Sequence, residues 1–94
     1  MNEQQFVRTL NSVGMRCFIT YFRQFCDLSL TNEDIAAQIE EAEGYSSKAC
    51  RSRTSGARRI IRAMRGRDAL EKIARSKADA WTRQEASRLL TARG

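Results

Sequence analysis

Between residues 46 and 62 the chain sets serines and cations at helical spacing: Ser46, Ser47, Lys48, Arg51, Ser52, Ser55, Arg58, Arg59 and Arg62. These residue types bind a polyanion rather than make or break bonds. Arginine forks onto a guanine edge or a phosphate, lysine supplies a point charge, and serine reaches either target without bulk. From Ser46 to Arg67 there are eight Lys or Arg and no acid, whereas residues 31 to 45 carry five acids and no base. This segregation says more than the net charge of +6 and the pI near 9.9, which by themselves point to a polyanionic partner, DNA or RNA first.

Other chemistries find little support. The chain has no histidine, which removes Ser-His and Cys-His nucleophile pairs and the usual proton shuttle. Cys17, Cys26 and Cys50 form no CxxC, and three thiolates at these spacings match no structural zinc pattern; they read as reduced core residues. Glu40, Glu41 and Glu43 read as a solvated helix end rather than a metal site. No glycine-rich phosphate loop is present. An enzyme, a cofactor and a metal are therefore not expected. No apolar run approaches the roughly 18 residues of a membrane span, and the first residues are not those of a signal peptide, so the expected location is cytoplasmic, with no membrane partner.

The elements that must position the basic face follow from periodicity. Ninety-four residues without proline, 41% hydrophobic and 30% charged, predict one all-α domain, a small bundle of about five helices. Phe6, Leu10, Val13, Cys17, Tyr21 and Phe25 recur at intervals of three and four, with Phe18 and Phe22 widening the stripe. This N-terminal region, 3 to 26, is either one long helix or two meeting near Asn11 to Gly14, where Asn11 and Ser12 are candidate caps. It holds five of the seven aromatics, so it is a core helix or, with surplus aromatic surface, a homodimer interface.

Thr31 predicts the next helix start, with Glu33 and Asp34 at the positive end of its dipole. Ile35, Ala36 and Ile39 form its inner face, with Ala42 a candidate to extend it, and Gly44 is placed to end it. Ser46, or alternatively Ser47, caps the basic helix. Its buried stripe is Cys50, Thr54, Ala57, Ile61 and Met64, flanked by Ala49, Arg53 and Ile60. Gly56 in mid-helix permits close approach of a partner. In the C-terminal region, 67 to 90, Asp68 is the candidate cap of a short helix. A last helix runs from about Asp79 to Leu90, anchored by Trp81, or begins a turn later at the capping box Thr82 to Glu85. The tail from Thr91 should fray.

An acidic helix, a turn and a basic helix over 30 to 64 have the sequence form of a helix-turn-helix. Leu30-Thr31-Asn32-Glu33-Asp34-Ile35-Ala36, Gly44-Tyr45-Ser46, Arg51-Ser52-Arg53, Ser55, Ala57-Arg58-Arg59 and Ile61-Arg62 together resemble region four of bacterial sigma factors. They are similar also to the tri-helical output domains of response regulators. The resemblance covers residues 30 to 62. It implies that Ser46, Ser47, Lys48, Arg51 and Ser52 face DNA, with Ser55 and Arg58 at the margin, and that Ile35, Ala36, Cys50, Ala57 and Ile61 build the motif's core. The chain departs from the family in two places. The stretch from Ala36 to Gly44 is about four residues longer, close to one helical turn, and Thr54 stands where leucine is usual.

The expected function is binding of double-stranded DNA in transcriptional control. Ser47, Lys48, Arg51 and Ser52 are the candidates for base-edge contacts, and Arg58, Arg59 and Arg62 those for phosphate. The alternative is a protein-interaction module, an adaptor, antirepressor or inhibitor, with an acidic protein partner. RNA ranks behind both, because no aromatic–basic platform for single strands is present.

Overall fold

The structure is a computed structural model and describes residues 1–92. It comprises α1 (Glu3–Val13), α2 (Met15–Thr20), α3 (Phe22–Cys26), α4 (Asn32–Glu43), α5 (Ser47–Arg62), α6 (Gly66–Ala74) and α7 (Ala80–Ala92). The all-α bundle is as expected. The described residues form seven helices rather than about five, because the N-terminal stretch breaks twice.

The first break is at Gly14, whose φ of +90° is a conformation that glycine reaches at little cost. Asn11 and Ser12 cap nothing there; they lie inside α1, which is capped instead by Asn2, with Gln5 reciprocating. The second break is at Tyr21. The two bends fold the aromatic stretch on itself: Phe6, Phe18, Tyr21, Phe22 and Phe25 are all buried. Phe18 meets Phe22 and Phe25 at ring-centroid distances of 5.6 and 6.1 Å, the favourable range for tilted rings. A single chain already buries these five rings, so they leave no surplus aromatic surface.

Thr31 caps α4. Its Oγ1 accepts from the Asp34 amide at 3.0 Å, and an Asp34 carboxylate oxygen accepts from the Thr31 amide at 3.0 Å. Hydrogen bonding to that carboxylate, from the Thr31 amide first and the Thr31 side chain second, holds the Asp34 carboxyl below the usual carboxylate range. Ile35, Ala36 and Ile39 face the core, and α4 ends at Gly44 in the left-handed region. After Gly44, Tyr45 and Ser46 the chain re-enters helix, with Ser46 Oγ accepting from the Ala49 amide at 3.1 Å.

α5 rests on Cys50, Thr54, Ala57 and Ile60, all fully buried. Thr54 fits this apolar row because its hydroxyl donates to the Cys50 carbonyl at 2.8 Å. The expected continuation through Ile61 to Met64 fails, because the helix stops at Arg62. Ile61 is half-buried, and Met64 lies beyond the end at φ +60°, 89% exposed. Gly56 lets α5 cross α1 closely: a Cβ there would sit 2.9 Å from Val13 Cγ2.

The C-terminal helices differ from expectation in their starts. Asp68 lies within the first turn of α6 and pairs with Arg65 at 2.9 Å instead of capping the helix. The Arg65 guanidinium also reaches Glu3 at 2.8 Å and lies over the Phe6 ring at 4.0 Å, tying α6 to the start of α1. Asp79 accepts from the Thr82 amide at 3.1 Å and from its hydroxyl at 2.7 Å, so α7 takes the earlier start. Thr82, Ala86 and Leu89 face inward. Trp81 does not anchor the core; it is 47% exposed, with the Arg16 guanidinium 5.3 Å from its ring centre. Thr91 and Ala92 are helical, and the remainder of the tail expected to fray lies outside the described residues. Among the described residues no helix is long and apolar enough to cross a membrane.

Candidate nucleic-acid interface

The outer face of α5 is held outward by three constraints: the Ser46 cap, the buried row beneath, and the contact with α1 at Gly56. Lys48, Arg51, Ser52, Ser55, Arg59 and Arg62 are exposed on it. Among the described residues no ion pair involves Lys48, Arg51, Arg59 or Arg62. No acid lies anywhere in α5, so nothing within the helix offsets their field. The N-terminal end adds the positive pole of the helix dipole.

Ser46 and Ser47 are exposed at that end, with hydroxyls already engaged. Ser46 Oγ accepts from the Ala49 amide, which leaves its own proton for a ligand acceptor. Ser47 donates to Glu40 at 2.8 Å and retains only acceptor capacity. Glu40 thereby stands at the start of the basic helix, on the α4 side.

Arg58 departs from expectation. It was expected at phosphate, but its side chain points inward and the residue is 5% exposed. Nη2 donates to the carbonyls of Leu30 at 2.8 Å, Asp27 at 3.0 Å and Gln24 at 3.4 Å, at the end of α3 and in the loop before α4. The Gln24 and Asp27 carbonyls also accept from the Asp27 and Leu30 amides, at 3.1 and 3.2 Å, so Nη2, with two N–H groups, shares the first two and completes Leu30. Arg53 plays the same part at the end of α1: Nη1 donates to the Val13 carbonyl at 2.7 Å, and the guanidinium lies 4.8 Å from the centre of the Tyr45 ring. The signal for Arg58 was present in the sequence, since Cys50, Thr54 and Arg58 form one i, i+4 row.

Sequence reasoning also missed Arg8. It faces an open cleft of about 420 Å³ between α1 and α5, lined by Gln5, Arg8, Thr9, Ser12 and Arg59, with Met1 at its edge. Arg8 and Ser12 stand at i, i+4 on the polar side of α1, the spacing that places two side chains together.

On the α4 side of the turn, the Tyr21 hydroxyl donates to Glu43 at 2.6 Å, which anchors the last turn of α4 to the bend between α2 and α3. Burial and the Glu43 carboxylate both push the Tyr21 phenol well above its ordinary value. Burial likewise raises the Cys17 and Cys50 thiols. None of the three cysteines is in a disulfide, and the described residues contain no cluster of Cys, Asp or Glu fit to hold a metal ion.

Comparison with protein-family models, with curated proteins and with solved structures finds no match to this chain.

Proposed function

We propose that the protein binds double-stranded DNA, with α4 and α5 acting as a helix-turn-helix in transcriptional control and α5 entering the major groove. One observation carries this reading: the exposed, acid-free face of α5 bears four cations, Lys48, Arg51, Arg59 and Arg62, that make no ion pair among the described residues. Lys48, Arg51 and Ser52, near the capped end, meet base edges. Ser46 and Ser47 contribute a donor and an acceptor beside them, with Ser55 at the margin. Arg59 and Arg62 meet phosphate, and Arg58 takes no part. The Glu40 carboxylate beside Ser47 repels phosphate from the α4 side and so orients the docking.

The test is selection from a randomised duplex library at near-physiological salt, followed by binding of variants to the selected site. Arg51→Ala should relax preference at one base position, at a cost of about 1–3 kcal/mol. Arg62→Ala should weaken all sequences alike and reduce the salt slope by about one. A pool that stays random, bound only at low salt, would overturn sequence-influenced recognition.

A second reading, a protein-interaction module with an acidic partner, is favoured by Met64. This side chain stands 89% exposed at the mouth of an apolar cleft formed by Phe22, Cys26, Ile61 and Leu70, with Arg67 at its rim. Its mark is a partner that survives purification while affinity for random DNA is lost with modest salt.

A further inference from the structure

We infer that the cleft between α1 and α5 is a phosphate-binding site that seats one backbone phosphate of the duplex engaged by α5, with Arg8 and Arg59 as its ligands. The inference rests on the DNA-binding reading and adds a second helix to the interface.

The cleft, about 420 Å³, brings two guanidinium-bearing residues from different helices to one opening, with Gln5, Thr9 and Ser12 also in its lining. No acid lines it. Among the described residues, neither Arg8 nor Arg59 makes an ion pair. Two like charges converging without a carboxylate between them repel, and an oxyanion relieves that repulsion while accepting several N–H bonds at once. The close crossing at Gly56 creates the convergence, because it brings α1 against the helix turn that carries Arg59.

Position along α5 selects a backbone phosphate rather than a base. Arg59 lies eight residues after Arg51, about 12 Å along the helix at 1.5 Å per residue. The major groove is itself about 12 Å wide. With Arg51 at a base edge, Arg59 therefore stands near the groove wall, where phosphates run. Arg8 supplies from α1 the second cation that Arg58, turned inward, does not.

The experiment measures duplex affinity against salt for the parent, Arg8→Gln, Arg59→Gln and Arg8→Lys, alongside NMR of the arginine Nε–H groups titrated with inorganic pyrophosphate. Arg8 and Arg59 are exposed, so the fold should tolerate the changes. Each Gln variant should weaken all duplexes alike by about three- to tenfold and lower the salt slope by about one, leaving the selected sequence unchanged. Arg8→Lys should restore the slope. A parent that binds duplex while Arg8→Gln keeps the full slope overturns the cleft and leaves the DNA-binding reading standing. If the parent binds no duplex, that reading fails and pyrophosphate decides the cleft. A pyrophosphate shift at both Arg8 and Arg59 of the parent, with the Arg59 shift lost in Arg8→Gln, would retain an oxyanion site, and an unmoved parent spectrum would overturn it.

Discussion

Nη2 of Arg58 lies 2.8 Å from the carbonyl oxygen of Leu30, across 28 residues of chain. The same nitrogen serves Asp27 and Gln24, so a single side chain of the basic helix closes the end of α3 and fixes the loop leading into α4.

Arg58→Met retains much of the buried stem and removes the donor. The three carbonyls then lose their shared partner, which costs about 1–3 kcal/mol. Urea denaturation should show that loss, while the salt slope of DNA binding, if binding is found, stays at the parent value. A slope lowered by one would return Arg58 to the phosphate contacts.

Gly56→Ala sets two effects against each other. Alanine is favoured in a helix by up to about 1 kcal/mol, but its Cβ meets Val13 Cγ2 at 2.9 Å, inside van der Waals contact. Overpacking of this kind costs about 1–3 kcal/mol, so the variant should be destabilised. Combining it with Val13→Ala should cost less than the sum of the single changes, a coupling that a double-mutant cycle reads directly.

Met64 has left-handed backbone and almost no packing to lose. A non-glycine residue there costs roughly 1–2 kcal/mol, partly offset by the extra unfolded-state freedom of glycine. Met64→Gly should therefore raise stability by about 0.5–1 kcal/mol, visible as a higher denaturation midpoint with an unchanged slope.

Acid should destabilise the fold through its caps. The carboxyls of Asp34, Asp79 and Asp27 are lowered chiefly by hydrogen bonds from Thr31, Thr82 and Ser29. A folded pKa below the unfolded one contributes stability that is present above the unfolded value, about 4, and lost as pH falls through the folded value. The melting temperature should thus drop below about pH 4, and Asp34→Asn together with Asp79→Asn should flatten that drop.

Local signals were legible in the sequence where one residue type does one job. Thr31, Gly44 and Ser46 mark the ends of α4 and α5 as their chemistry requires, and Cys50, Thr54 and Ala57 mark the inner row. What escaped the sequence depended on partners distant along the chain. Arg53 looks like any other cation of a basic run until the Val13 carbonyl is brought beside it, and Arg58, although in the row of Cys50 and Thr54, has its acceptors 28 to 34 residues away. The aromatics of residues 6 to 25 suggested excess surface because the bend at Tyr21, unlike the one offered near Gly14, leaves little trace in periodicity. Arg8 belonged to the polar side of α1 and gained a companion only when Gly56 let the two helices cross.

That crossing limits how the basic helix can be transplanted. α5 leans on α1 at Gly56, closes α1 through Arg53 and closes α3 through Arg58, so its scaffold lies largely upstream of residue 30. A fragment cut to 30–64, however complete as a motif, leaves Arg53 without the Val13 carbonyl and Arg58 with the Leu30 carbonyl alone, and opens the apolar row to water. Grafted into a fusion, the helix pair would be a cargo without its cradle; the portable unit begins at α1.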